Sequence, residues 1–176
     1  TFNHISDLRW SNANDLLMTG DVANTMFWVA SSATAIPNTY PNAYFILRVD
    51  AAGNLIRAQT MGSDSPVHAV SITEQADSVV VYGEFQCSFT GLQTAYNASG
   101  LFMATGLKDL FIAKHRSADL VFVEAQQFGG SGAKRAGAIA SLNDELLFAG
   151  SFDGELFLPR EIAYWGEPVN PFPSCS

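Results

Sequence analysis

A chain of 176 residues with 48% hydrophobic and only 15% charged residues has the length of one domain and the means to bury a large core, which excludes a disordered protein. Nine Lys and Arg against seventeen Asp and Glu give a net charge of −8, which repels a phosphate backbone. No apolar run reaches the ~18–20 residues that a bilayer span requires, so neither nucleic acid nor membrane insertion is expected.

The polar opening, starting at Thr1, has no signal-peptide pattern and reads as a processed product or a piece of a longer chain. In chain order, "ISDLRWSNANDLLMTGDV" (5–22) is the first hairpin, ending on a Gly, a polar residue and Val. A long segment without regular pattern follows, from Val22 to Asn42. "FILRVD" and "NLIRAQT" then flank Ala51-Ala52-Gly53, a hairpin turn. "VSITEQADSVVVYGEF" (70–85) is the next hairpin, and "DLFIAKHRSADLVFVEAQQF" (109–128) the one after it. "AIASLNDELLFAGSF" (138–152) closes the series, giving ten strands in five hairpins. The runs are rich in Val, Ile, Leu and Phe, with Asn, Asp and Gly between them. Val79 to Tyr82 and Leu120 to Val123 are apolar throughout, the pattern of strands covered on both faces.

These hairpins repeat. Ala43–Ser65 lies on Asp109–Gly132, with Phe45 on Phe111, Arg48 on Lys114 and Gly62 on Gly129, at an offset of 66 to 67 residues. The alternate hairpin is anchored at Gly20, Gly83 and Gly150, spaced by 63 and 67. Two alternating hairpins therefore make one repeat of roughly 66 residues, and residues 1–158 hold about two and a half repeats. "FGGSGAKRAG" (128–137) resembles a phosphate loop, but it occupies the place of "MGSDSPVHAV" (61–70) in the preceding repeat. Its Lys134 follows Ala133 instead of a glycine, and no helical pattern comes after it. It reads as a junction.

Two hairpins per repeat make a four-stranded antiparallel sheet, and such sheets stacked around an axis make a β-propeller. The expected fold is therefore all-β, with propeller-like blades in an incomplete ring. "DLFIAKHRSADLVFVEAQQFGGSG" and "GAIASLNDELLFAGSF" resemble the bacterial β-propeller repeats of large secreted and cell-surface proteins, in which a D-x-F-V-A-K strand and an F-G-G-S-G junction precede a hairpin ending in G-x-F. The likeness extends to about Leu158 and is strongest over Asp109 to Phe152. It implies a fold, an extracellular or cell-surface setting and a scaffolding or adhesive role, and it brings no catalytic residue.

Catalytic chemistry has little to rest on. His4 and His68 fall at nearly equivalent places one repeat apart, which reads as structural, and His115 at a hairpin turn is expected to be solvated. Asp50, Asp77, Asp119, Asp144 and Asp153 lie at turns, where Asp bonds its own backbone. Ser131 lacks the final glycine of a nucleophile elbow, and "SFDGELF" has neither the spacing nor the Trp of a sialidase Asp-box. Neither a cofactor nor a metal ion is expected.

The expected function is a non-enzymatic extracellular structural or adhesive module. Its partners are protein, either copies of itself or further blades of the same polypeptide. The tail, 159–176, is rich in proline and reads either as an arm docking through Tyr164, Trp165 and Phe172 or as a truncated repeat loop. The alternatives are a glycan-binding propeller, with Trp28, Tyr40 and Tyr44 stacking on sugars, and a non-catalytic fragment of a larger secreted enzyme. Cys87 and Cys175 would form a disulfide in an oxidising compartment, and Asn97 in "NAS" fits a glycosylation acceptor.

Overall fold

The structure, a computed structural model, describes residues 3–23, 25–29, 33–89 and 102–157. It is all-β, and among the described residues no helix is long and apolar enough to cross a membrane. The first sheet is a four-stranded antiparallel meander of β1 (His4–Trp10), β2 (Leu16–Val22), β5 (Asn42–Val49) and β6 (Leu55–Ser63), hydrogen-bonded in that order. The second repeats it with β7 (Val67–Gln75), β8 (Ser78–Phe85), β11 (Asp109–Arg116) and β12 (Phe122–Phe128). β13 (Lys134–Leu142) and β14 (Glu145–Phe152) form a third hairpin in the position of β1–β2 and β7–β8. The five hairpins expected from the repeat are these ten strands.

Two short ribbons complete the structure: β3 (Met26–Val29) with β4 (Ala33–Ile36), and β9 (Ser88–Phe89) with β10 (Phe102–Met103). Each is inserted along the chain between the second and third strands of its sheet. The first ribbon falls in the segment from Val22 to Asn42, which has no regular pattern in the sequence. Four-residue strands are too short to display a period.

Each anchor glycine has a physical cause. In all three repeats a β-bulge interrupts the first strand opposite that glycine: between Ile5 and Asp7 facing Gly20, between Ala69 and Ser71 facing Gly83, and between Ala136 and Ala138 facing Gly150. The bulge drives a carbonyl oxygen into the space a side chain would fill. A Cβ would stand 1.8 Å from the His4 oxygen at Gly20, 2.2 Å from that of His68 at Gly83, and 2.5 Å from that of Arg135 at Gly150. A residue with a side chain forces the bulge out of register.

The sheets pack face to face. Between the first and second lie Leu17, Tyr44, Ile46 and Met61 of one and Ile72, Val81, Phe85, Phe111 and Ala113 of the other. Val80, Tyr82, Leu110 and Ile112 on the opposite face of the second sheet meet Ile139, Ala136 and Leu146 of the third hairpin. The backbones of successive units approach at their first strands, β7 against β1 and β2, and β13 against β7 and β8. Small residues, Ala69, Ser71 and Ala136, sit at this close approach. Large rings fill the space between the outer strands: Tyr44 stacks on Phe111 at 5.6 Å, and Phe89 lies 5.2 Å from Phe111. Burial of each such ring contributes about 1.5–3 kcal/mol.

β8 is buried on both faces, as its continuous apolar run predicts. The run from Leu120 to Val123 is different: Leu120 is buried in the turn, but Val121 and Val123 are about half exposed because β12 is the outermost strand of its sheet.

Candidate functional site

Polar side chains register one sheet on the next, and they do so twice in the same way. On the bulged strand, the Asp7 carboxylate accepts from the Ile72 amide (3.1 Å) and the Ser71 hydroxyl (2.7 Å) of the second sheet. One repeat later, the Ser71 hydroxyl oxygen accepts from the Ile139 amide of the third hairpin at 3.2 Å. After the anchor glycine, Asp21 accepts from the Ala69 amide (3.1 Å), and Glu84 accepts from the Ala136 amide (3.2 Å). Each contact gives a backbone amide next to the bulge a side-chain acceptor on the preceding unit. The third hairpin carries Ala138 and Ser151 at the corresponding places, so the acceptor on the bulged strand is missing there.

Two further groups tie the first sheet to the second. The His68 Nδ1–H donates to Asp21 at 2.8 Å, and this hydrogen bond raises the His68 pKa against the opposing effect of burial. Arg48 is almost fully buried, pairs with Asp15 (3.1 Å) and Glu74 (3.2 Å), and donates to the Ser117 carbonyl.

The glycine-rich junction has an occupant of its own. The Lys134 ammonium is wholly buried and donates to the carbonyls of Gly130 (2.6 Å), Ser131 (3.2 Å) and Gly132 (3.3 Å), with Asp109 Oδ1 at 3.5 Å. Asp109 is equally buried and accepts from Thr105 and Gln127. Lys134 therefore neutralises a loop of inward-pointing carbonyls, whereas a phosphate cradle presents N–H groups. At the preceding junction, between β5 and β7, the two corresponding positions hold Ala43 and Val67.

His115 departs from its expected place. Its side chain is fully buried, with Nδ1 3.0 Å from the Leu120 carbonyl and Nε2 3.0 Å from the Tyr44 hydroxyl. A carbonyl only accepts, so Nδ1 carries the proton and the Tyr44 O–H donates to Nε2. Burial pushes the His115 pKa down to about 4 and pushes that of Tyr44 up.

Tyr44 is thus no sugar platform: its ring has no solvent-exposed face, because it fills the space between the sheets. Trp28 and Tyr40 are partly buried against the far face of the first sheet, and the Trp28 indole N–H donates to the Gly53 carbonyl at 3.0 Å. The three aromatics do not form one exposed surface. His4 is exposed, with Nδ1 3.3 Å from the Ser6 hydroxyl. Asp50 and Asp119 bond the backbone of their own turns, as read from the sequence. Cys87 is disulfide-bonded. Asn97, Tyr164, Trp165, Phe172 and Cys175 lie outside the described residues, as does the tail 159–176. Among the described residues no three His, Cys, Asp or Glu side chains gather in a group fit to hold a metal ion.

The exposed features with the strongest physical signature are the two ends of the stack. On the far face of β1, Ile5, Leu8 and Trp10 are 52%, 54% and 67% exposed, although their counterparts in the second sheet are covered. At the other end Leu147 and Phe152 are exposed, and among the described residues β14 pairs only with β13. Between β11–β12 and β13–β14 runs a groove of about 450 Å³ lined by Ile112, Phe128, Leu146 and Phe148. The sequence matches no protein-family model and no curated protein.

Proposed function

We propose that the chain is a non-enzymatic, extracellular repeat module of the β-propeller type with a structural or adhesive role, its open faces completed by further blades of the same polypeptide or by copies of itself. The observation that carries this reading is the recurrence of the same inter-sheet contacts, Asp7 to Ile72 and Ser71 to Ile139, Asp21 to Ala69 and Glu84 to Ala136. Asp7, Asp21, Ser71 and Glu84 are engaged in holding one sheet against the next. Sheets that approach at their small-residue first strands, with large rings between their outer strands, are what blades around an axis require. The disulfide at Cys87 supports an oxidising compartment.

The test is the native mass by light scattering, with and without reductant, set against the chain mass of 18.9 kDa. Multiples of that mass, or a longer native polypeptide containing this segment, support the reading. A stable monomer of the natural full-length product, with no affinity for its own repeats, overturns it.

A further inference from the structure

The two four-stranded sheets specify what pairs with the second strand of each unit. In the first sheet β2 pairs with β5, placing Phe45 opposite Gly20, Ile46 opposite Thr19 and Arg48 opposite Leu17. In the second, β8 pairs with β11, placing Phe111 opposite Gly83, Ile112 opposite Tyr82 and Lys114 opposite Val80. Both give the same rule: aromatic on glycine, isoleucine on the residue before it, basic residue three positions before the glycine. The aromatic ring covers the glycine closely enough that a Cβ on Gly83 would meet Phe111 at 2.6 Å. The corresponding positions on β14 are Gly150, Ala149 and Leu147, and among the described residues no third strand faces them.

The groove beside β14 bears on the same edge from another side. Between the first and second sheets the corresponding space is filled by Phe111, Ala113 and Phe122 of the third and fourth strands. Between the second sheet and the third hairpin no described residue fills it, and Ile112, Phe128 and Phe148 form its walls.

We infer that β14 and this groove form an acceptor site for one occupant, a two-stranded segment of this same repeat type, which adds antiparallel to β14 with a phenylalanine over Gly150. The first added strand carries Phe-Ile-Ala/Leu-Lys/Arg, as in "FIAK" and "FILR". Main-chain bonds to β14 supply affinity, and the phenylalanine fixes the register. This inference rests on the module reading and names the partner of one of its faces.

The test uses a fluorescein-labelled peptide with the sequence of residues 109–129 and the purified chain, followed by fluorescence anisotropy and by amide exchange at β14. Saturable binding is expected, weakened about tenfold or more by the Phe111→Ala change in the peptide, with slowed exchange of the outward-facing amides of β14. Absent binding, binding indifferent to that change, or binding without protection of β14 overturns the inference. So does full protection of those amides before peptide is added, which would mean that residues 158–176 or a second copy already cover the edge. Chains that assemble by mass yet ignore the peptide sink this inference and leave the module reading standing. A monomer that binds the peptide retains the acceptor site and removes only self-assembly.

Discussion

The hydroxyl of Tyr44 on β5 donates to Nε2 of His115 on β11, 3.0 Å away across the boundary between the first and second sheets. Both groups are fully buried, so each is the other's only substitute for water at that atom apart from the nearby Met61 sulfur. Replacing Tyr44 by Phe leaves the imidazole acceptor unpaired in the core. A loss of about 1–3 kcal/mol is expected, read from urea unfolding of the two proteins side by side.

The same pair makes stability depend on pH. His115 titrates at about 4 in the folded chain, below the ordinary histidine value of 6.5. Between those values the unfolded chain binds a proton that the folded chain excludes, so stability present above pH 6.5 is lost as the pH falls toward 4, by on the order of 3 kcal/mol. His68 acts in the opposite sense. Its pKa is raised by Asp21, so its contribution is complete below the unfolded value and is lost as the pH rises through the folded one. Unfolding midpoints measured from pH 4 to 8 should therefore fall less steeply on the acid side in His115→Gln, and more steeply in His68→Ala.

Breaking the buried Asp109–Lys134 pair by Lys134→Met strands a carboxylate and three carbonyls, a cost of about 3–5 kcal/mol. The preceding junction, between the first and second sheets, shows how the same places can be filled without charge. The double substitution Asp109→Ala with Lys134→Val, which imports Ala43 and Val67, is expected to be more stable than Lys134→Met. Thermal unfolding of the three proteins decides this, and a double variant no better than the single would show that the loop carbonyls, not the carboxylate, are what Lys134 satisfies.

Two glycine substitutions separate close approach from backbone conformation. Gly83→Ala sets a methyl group against the His68 carbonyl and the Phe111 ring, and should cost about 3 kcal/mol or more. Gly53 has a φ of 87° and nothing within 4 Å of a built Cβ, so Gly53→Ala strains only its own backbone, by about 1 kcal/mol. Equal losses in a denaturation experiment would contradict the role assigned to the bulge.

The strands and their repeat were legible because both are written in local pattern: apolar runs between turn residues, and a glycine returning at 20, 83 and 150. Asp50 could be placed at its turn because an Asp bonds amides two and four residues away. His115 was misplaced because its partner is 71 residues distant, and nothing in "KHRSADL" reveals that the ring turns inward to meet Tyr44. Tyr44 was misread for the same reason. Lys134 was recognised as part of a junction, but its burial depends on carbonyls gathered by the fold of the loop. The bulges, which explain the anchor glycines, leave no signature beyond the glycines themselves.

The contacts between successive sheets also set an order of opening. Among the described residues the second sheet is held on both faces, by the first sheet on one side and by β13–β14 on the other, whereas β13–β14 is held by the second sheet alone. In such a linear array stability is close to a sum of unit and nearest-neighbour terms, so the units do not share equally in it. Opening is most expensive at β8, which is buried on both faces between the first sheet and β13–β14. The second sheet is therefore the unit whose opening breaks the most inter-sheet contacts, and the last to open.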